Sequence, residues 1–574
     1  MKKKFSLRKM LVFYKKHIFL YIGFLVILVI KACLSFLSAF YVAKVITYMM
    51  DSSYDLAFHY ALLDLTIMTI YCLLSFANTY FYKNLENRVR FDIQQQLINS
   101  ALNIKMSYYD KMSSGVIVTR LTSDIDHISE RFKSLTEKIV NILRRFSYLI
   151  YIFILDIRLG FIVLAMVAII SLIYTVRIHF LSKLKPGVKA QREKVNSQII
   201  ETVRAIKDIK TLNCDENILS LIAESQKEFI KKDNFEYYIG TGLCKLTDYI
   251  THLSNFLFIV LNIILIKNGQ ISTAVFYTGY LYKDHTFSLA NEIGDFRYKL
   301  AECEVCAERL VTLIYPNPND VDSYGEDTID NFDGSLSFKN VNFSYVEDNL
   351  ILKGVSFDIP AKKTVAFVGE SGSGKSTISN LLGHLYYKDS GKIEFAGGEI
   401  SNLSKDFIRN NITVVNQFPY LFNLSIRDNF KMIKQSISDD EIWSLCRKVG
   451  LEDFIKQLPL GLDSIVGEAG CQLSGGQKQK LSIARALSRD VKVIIFDEAT
   501  SSLDNVSQDE IMGIIKNIAK ERTVIIIAHR LSTITYADSI ILIKDGSVVG
   551  QGKHETLLKE NNYYKSLYLA QNRS

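Results

Sequence analysis

The chain has 574 residues, 48% of them hydrophobic and 22% charged, with 68 Lys and Arg against 60 Asp and Glu. So large an apolar share excludes a disordered or collagen-like chain. The surplus of cations is uneven: residues 1–315 carry 39 basic and 27 acidic side chains and only nine of the 29 glycines, whereas 316–574 carry 29 and 33, so two parts built for different solvents are expected.

The first part opens on Lys2, Lys3, Lys4, Arg8, Lys9, Lys15 and Lys16, followed by the apolar run IFLYIGFLVILVI. Runs of about the 20 residues that a helix needs to cross a bilayer lie at 18–46, 57–82, 139–156, 159–180, 247–266 and 271–290. Six spans are therefore expected, the third and sixth interrupted by charges. The first is too long for a cleaved signal peptide. The connections 83–138 and 181–246 are rich in Lys and Arg, while 47–56, 157–158 and 267–270 are short and hold only Arg158 and Lys267. Basic connections stay cytoplasmic. This predicts a multi-pass protein of the cell membrane with both termini and both long connections inside.

Those long connections are not plain linkers. Val89, Ile93, Leu97 and Ala101, and again Ile199, Val203, Ile206 and Ile209, recur at helical spacing among charges, so membrane helices should run on far into the cytoplasm. SYYDKMSSGVIVTRLTSDID (107–126), with its aromatic pair before Asp110, its Gly115 and its Arg120 to Asp124 spacing, resembles the first intracellular loop of ATP-binding cassette exporters, and ETVRAIKDIKTLN (201–213) resembles the second. The resemblance implies short helices that dock on an ATPase domain. Within the spans, charges are costly and mark candidate functional positions: Lys31, Asp64, Arg144, Arg145, Lys283 and Asp284 fall at comparable depths in the inner half. Three readings stay open for them: a cytoplasm-facing cavity of net positive character for an anionic or amphipathic substrate, interhelical glue in which Asp64 pairs with an arginine, or helices that already project into the cytosol at that depth. Cys303 and Cys306 form a C-x-x-C, but no second pair or nearby His completes a zinc set.

The polar stretch 316–334 reads as a linker, and residues 335–574 alternate strand-like and helical patterns, as expected for an α/β domain with a mainly parallel sheet. The strand TVAFV precedes Gly369, Glu370, Ser371, Gly372, Ser373, Gly374, Lys375, Ser376 and Thr377, a phosphate-binding loop in the required strand-to-helix context. Its backbone N–H groups cradle phosphates, Lys375 reaches the β and γ phosphates of ATP, and the Ser376 hydroxyl ligates Mg2+. VKVIIFDEAT (491–500) ends a buried strand in two carboxylates: Asp497 for the metal shell, Glu498 to polarise the attacking water.

Between these motifs, Leu473, Ser474, Gly475, Gly476 and Gln477 are similar to the signature of ATP-binding cassette proteins. Around them Gln417 resembles the loop glutamine that senses metal and water, Ser501, Leu503 and Asp504 the loop joining two ATP sites, His529 the histidine on the γ phosphate, and Tyr345 the aromatic that stacks on adenine. Departures from the family pattern, at Asn416, Ala469, Lys478, Lys480 and Gly550, leave the phosphate contacts intact. The resemblance implies a six-span all-α membrane domain (1–315) joined to an α/β cassette (335–574), one half of a transporter. In it Ser474, Gly475, Gly476 and Gln477 serve the ATP site of a partner chain, a homodimer being favoured and a heterodimer left open. The expected activity is ATP-driven export or flipping of a multidrug, lipid or peptide-like substrate by alternating access. An importer on the same fold, or an ATP-gated regulator or channel, is the alternative. No nucleic-acid partner is implied.

Overall fold

A computed structural model of the chain describes residues 2–572 apart from 112–116, 118–119, 347, 468–469, 471, 499–504, 529–530 and 532–533. Gly115, Ala469, Ser501, Leu503, Asp504 and His529 from the sequence reading lie outside the described residues. The chain forms two compact units, Met1–Leu102 with Ser114–Pro316, and Asn103–Ser113 with Asn317–Ser574.

The first unit is helical. A short α1 (Lys2–Lys16) precedes α2 (Ile18–Met50) and α3 (Tyr54–Ala101). Helix α4 (Met106–Asp110) belongs to the other unit. Then follow α5 (Ser123–Leu155), α6 (Ile157–Arg204), α7 (Ile206–Leu212), α8 (Asp215–Lys267) and α9 (Thr273–Ile314). The six apolar runs fall in the six long helices. Four of these, α2, α3, α6 and α8, are long and apolar enough to cross a membrane by length and composition alone. Charges lower the apolar windows of α5, which carries Arg144 and Arg145, and of α9, which carries Lys283 and Asp284.

Length carries the next inference. α3 and α6 have 48 residues each and α8 has 53, so at 1.5 Å per residue they extend about 70–80 Å, more than twice a hydrocarbon core of roughly 30 Å. The excess is where the amphipathic stripes lie. On α3, Val89, Ile93 and Leu97 are completely buried, as the spacing predicts. The second stripe differs: Ile209 is buried, but Ile199, Val203 and Ile206 are exposed, because no described residue of this unit covers them. The tight corner between α5 and α6 follows from Asp156, whose carboxylate accepts from the Arg158 and Leu159 amides (2.8 and 3.4 Å) and caps α6. Ser272 caps α9 in the same way through Val275 N–H (3.3 Å). Helix α6 also contains Pro186 in its interior. The apolar core joins Tyr148 and Ile152 of α5, Leu159 and Val163 of α6, Phe258 of α8, and Tyr282 and Phe287 of α9.

The second unit holds two sheets. Strands β1 (Leu336–Ser344), β2 (Leu350–Ile359), β4 (Ser390–Phe395) and β5 (Gly398–Glu399) form an antiparallel sheet in the order β2-β1-β4-β5. Strands β3 (Thr364–Val368), β6 (Ile412–Val415), β7 (Val493–Asp497), β8 (Thr523–Ile527), β9 (Ser539–Lys544) and β10 (Ser547–Gly552) form the other, in the order β10-β9-β3-β8-β7-β6. All pairs in this sheet are parallel except β9 with β10. The unbroken apolar runs at 364–368 and 523–527 are its central strands, buried at every position, which is what a parallel sheet covered on both faces requires. Two helices bear on the site: α10 (Lys375–Leu382) follows β3, and α11 (Gly475–Leu487) precedes β7.

The stretch expected as a linker is instead packed against this unit. Lys105 N–H donates to the Asp320 carbonyl and Asp322 N–H to the Asn103 carbonyl, both at 2.9 Å, flanking a β-bridge between Ile104 and Val321. Gly325 and Asp327 N–H groups donate to Leu403 and Asn402 carbonyls, and Phe332 is buried against Phe395 and Phe407. Polar composition suggested solvation; paired backbone groups and one aromatic anchor hold the segment down.

Candidate active site

The loop between β3 and α10 is shaped by its glycines. At Gly369 a Cβ would stand 2.1 Å from the Ile543 carbonyl oxygen, so only glycine fits there, and Gly374 has φ +106°, in the left-handed region where a side chain is strained. Lys375, the first residue of α10, is buried. Its ammonium donates to the carbonyls of Gly369 (2.9 Å) and Glu370 (2.7 Å) and lies 3.5 Å from Ser373 Oγ. Burial holds its pKa below the ordinary lysine value, while the carboxylates of Glu498 and Asp497 pull the other way. Those two acids therefore act on the same loop. Ser376 Oγ donates to Asp497 Oδ1 (3.4 Å), joining the start of α10 to the end of β7. Ser371, Gly372 and Ser376 are exposed, whereas Ser373 and Thr377 are buried.

Glu498 follows immediately. Adjacent strand residues point to opposite faces, but Glu498 has φ +51° and its N–H donates to the Ile527 carbonyl of β8 at 3.0 Å. The backbone thus leaves the strand at this residue, which is how two consecutive carboxylates can address one site. A non-glycine residue in the left-handed region is held there at a cost of about 1–3 kcal/mol, and such positions cluster at functional sites.

Tyr345 is 41% exposed, so part of its side chain is open to solvent. The ring meets Phe343 and Tyr386 edge-on (centroids 4.8 and 5.0 Å), and its hydroxyl lies 3.4 Å from Thr377 Oγ1 and 3.1 Å from Asn380 Nδ2. Tyr386 was not singled out from sequence. Its hydroxyl donates to Asp110 of α4 at 2.6 Å, and burial together with that carboxylate raises its pKa. Beside it, Tyr387 accepts from Ser323 N–H (2.8 Å), donates to Asp322 (3.2 Å), and lies under the Lys105 ammonium (4.6 Å). The expectation that a short helix in the first long connection meets the α/β unit is met by α4.

Gln417 lies just after β6, half-buried. Its neighbour Asn416 accepts, through its carbonyl, from Gln479 of α11 (3.4 Å). At the start of α11, Ser474 and Gln477 form a capping box: Ser474 Oγ accepts from Gln477 N–H (3.3 Å) and Gln477 Oε1 accepts from Ser474 N–H (2.9 Å). Gly476 is buried, and a Cβ there would touch Ser507 Oγ at 3.0 Å. Ser474 and Gly475 are exposed, at the tip of a helix whose N-terminus favours anions.

The six charged positions of the spans have different partners. Arg145 pairs with Glu292 of α9 (2.9 Å) and donates to Ser288, so this arginine is interhelical glue. Asp64 accepts from Ser38 (2.6 Å) rather than from an arginine. Arg144 donates to Ser35 (3.3 Å), Lys31 lies 5.0 Å from the centre of the Tyr71 ring, and Lys283 is buried between Asp284 (2.8 Å) and the Tyr280 ring (3.9 Å). Sequence reading missed Glu292, Lys138 and Asp295. Lys138 bridges the other two at 2.8 and 3.0 Å, and Tyr174 joins Asp295 at 2.5 Å. Their positions beyond the apolar windows gave no signal.

Two family models match the chain. The model for the ABC transporter transmembrane region matches residues 20–283, and the ABC transporter model matches 352–501. An ATP-dependent lipid A-core flippase of Haemophilus influenzae is 31% identical over 515 residues, 87% of this chain and 85% of its own length. A multidrug resistance-like ATP-binding protein, MdlB, of Buchnera aphidicola is 29% identical over 530 residues, 90% of each chain. Among solved structures, a bacterial Atm1-family ABC exporter with ATP bound superposes with a TM-score of 0.83 at 22% identity, covering 96% of this chain and 98% of its own.

Proposed function

The chain belongs to the ATP-binding cassette transporter family, whose members of this architecture are ATP-hydrolysing membrane transporters, and from that premise we propose a homodimeric exporter or flippase with its ATPase units in the cytoplasm. The observation that carries the dimer is the exposure of Ser474 and Gly475 at the tip of α11. Helix-terminal donors exposed in one chain are suited to the γ phosphate of ATP held on a second chain. The uncovered stripe of Ile199, Val203 and Ile206 supports the same reading.

Each chain then supplies half of each site. Gly369 to Thr377 wrap the phosphates with backbone N–H groups, and Lys375 exchanges its carbonyl contacts for phosphate oxygens. The exposed part of Tyr345 takes the adenine. Ser376 and Asp497, 3.4 Å apart, suit a small hard cation that keeps most of its waters, and Mg2+ bound there supplies charge neutralisation at the β and γ phosphates. Glu498, turned out of the strand, orients the attacking water and accepts its proton, with Gln417 and, on the sequence pattern alone, His529 as the assisting residues. Closure of two such sites favours one membrane conformation and hydrolysis releases it, so each ATP state binds one conformation better than the other.

For the transported molecule we propose an amphipathic lipid-like or multidrug-type compound, the class named for the relatives. Arg144 supports an anionic end, since among the described residues it makes no ion pair and donates to the neutral Ser35 hydroxyl. Liposomes containing the purified protein should move such a compound only with ATP, and Glu498→Gln should abolish turnover while ATP still binds. Hydrolysis unaffected by Glu498→Gln would overturn the catalytic assignment, and ATP-driven movement toward the ATPase side would make the protein an importer.

A further inference from the structure

Gly550 departs from the family pattern, and the space left by its missing side chain is taken by Asn561. A Cβ at residue 550 would stand 2.8 Å from Asn561 Nδ2. That amide donates to the Val549 carbonyl (3.2 Å), Asn561 Oδ1 accepts from Tyr564 N–H (3.0 Å), and Asn561 N–H donates to the Leu557 carbonyl (2.9 Å). One residue thus joins β10 to two further helices, α12 (His554–Glu560) and α13 (Asn562–Asn572). Tyr564 is completely buried and ties α13 to α12 through its hydroxyl, 2.7 Å from His554 Nδ1.

The residue before it, Tyr563, is held by the same joint. Its ring centre lies 4.9 Å from the Lys544 ammonium at the end of β9. In β9, Leu542 pairs with Val368 of β3, and the next carbonyl, that of Ile543, is the one that admits only glycine at 369. Tyr563 therefore borders the entry of the phosphate loop. Its hydroxyl oxygen is buried and, among the described residues, completes no hydrogen bond of normal geometry. Burial raises the pKa of this hydroxyl, the Glu370 amide pulls the other way, and the Glu370 carboxylate adds to the rise, so both polar groups of Glu370 are at hand. A buried hydroxyl short of a partner costs free energy that is recovered when the bond closes. Strand and helix are fixed by the contacts above, whereas Glu370 is exposed on the loop and its carbonyl already accepts from Lys375 (2.7 Å). Glu370 is the side that can move to close the bond.

We propose that Tyr563 is a positioning residue of the ATP site: its hydroxyl closes on Glu370 as the loop tightens around the phosphates, and Gly550 with Asn561 holds it in place. The inference rests on the reading of 369–377 as the ATP loop. Titration of the purified full-length transporter with a fluorescent ATP analogue, alongside steady-state hydrolysis, tests it. Tyr563→Phe keeps the ring and removes the hydroxyl, so ATP affinity should fall about fivefold while kcat stays within about twofold of wild type. Gly550→Ala, which displaces the Asn561 amide, should weaken ATP by a similar factor, and combining the two should add little, because both remove one contact. Leu569→Ala, exposed on α13, should leave affinity and kcat unchanged. Wild-type affinity in Tyr563→Phe would overturn the assignment, as would a loss confined to kcat. An equal loss in Leu569→Ala would make α13 a general support of the unit and overturn it too, and full additivity of Tyr563→Phe with Gly550→Ala would overturn the route through Asn561. Lys375→Ala reads the premise separately: ATP that still binds that variant removes the ATP loop itself, whereas binding that needs Lys375 but ignores Tyr563→Phe removes only the role of Tyr563.

Discussion

Gly369 and Gly372 sit three residues apart in one loop and have different reasons to be glycine. A methyl group on Gly369 would collide with the Ile543 carbonyl, part of a sheet that cannot move, whereas nothing lies within 4 Å of the corresponding point on Gly372, whose demand is only its φ of +81°. Gly369→Ala should therefore abolish ATP binding, while Gly372→Ala costs about 1 kcal/mol and weakens ATP by about fivefold at most. Titration with a fluorescent ATP analogue separates the two, and equal losses would contradict the steric argument. Asp322 gives the pH prediction. Burial holds its carboxyl above the usual range despite nearby cations and the Tyr387 hydroxyl. A raised folded-state pKa contributes stability below the unfolded pKa, and that contribution is lost as pH rises through the folded value. Asp322→Asn should accordingly melt higher than wild type at about pH 7, with the gap closing toward about pH 4, where the wild-type carboxyl is protonated.

Among the elements, α4 has only five residues and no cap hydrogen bond from Lys105. Five residues do not hold a helix in isolation, so its position depends on partners such as Tyr386 and the backbone pairs at Asn103 and Lys105. Tyr386→Phe keeps the ring against Tyr345 and removes only the bond to Asp110. ATP affinity should stay near wild type while stimulation of ATPase by transported compounds falls several-fold. Unchanged stimulation would show that the 2.6 Å contact carries no coupling. This element also marks the limit of what sequence reveals. The phosphate loop was legible because contiguous residues, a strand end and a helix start, set its geometry, and the Ser474 to Gln477 segment because five contiguous residues resemble the family signature. Tyr386 with Asp110, separated by 276 positions, and Arg145 with Glu292, separated by 147, were not. Which helix faces which is decided by packing over the whole unit, and spacing within one helix is silent about it. The same reason explains why 316–334 read as a linker: polar composition does not reveal that its amides are matched to carbonyls of Asn402 and Leu403.

At the scale of the whole molecule, the proposed pair of ATP sites, each completed by residues of the other chain, predicts a non-linear response to poisoning. When wild-type and Glu498→Gln chains are co-expressed and assemble at random, activity should fall as the square of the wild-type fraction if both sites must turn over. A linear fall would mean that each site works alone, and the mass of the purified complex decides between like and unlike partners. The long helices set how motion passes through such an assembly. Most of α6 is an unbroken ladder of backbone hydrogen bonds, and such a rod resists flexing. Pro186 removes one rung, and at Gly187 beside it a Cβ would meet nothing within 4 Å. A load applied at the Arg204 end therefore meets the least stiffness there. Pro186→Ala is therefore expected to stiffen α6, with slower exchange of the backbone amides around residue 186 as the measurement that checks it.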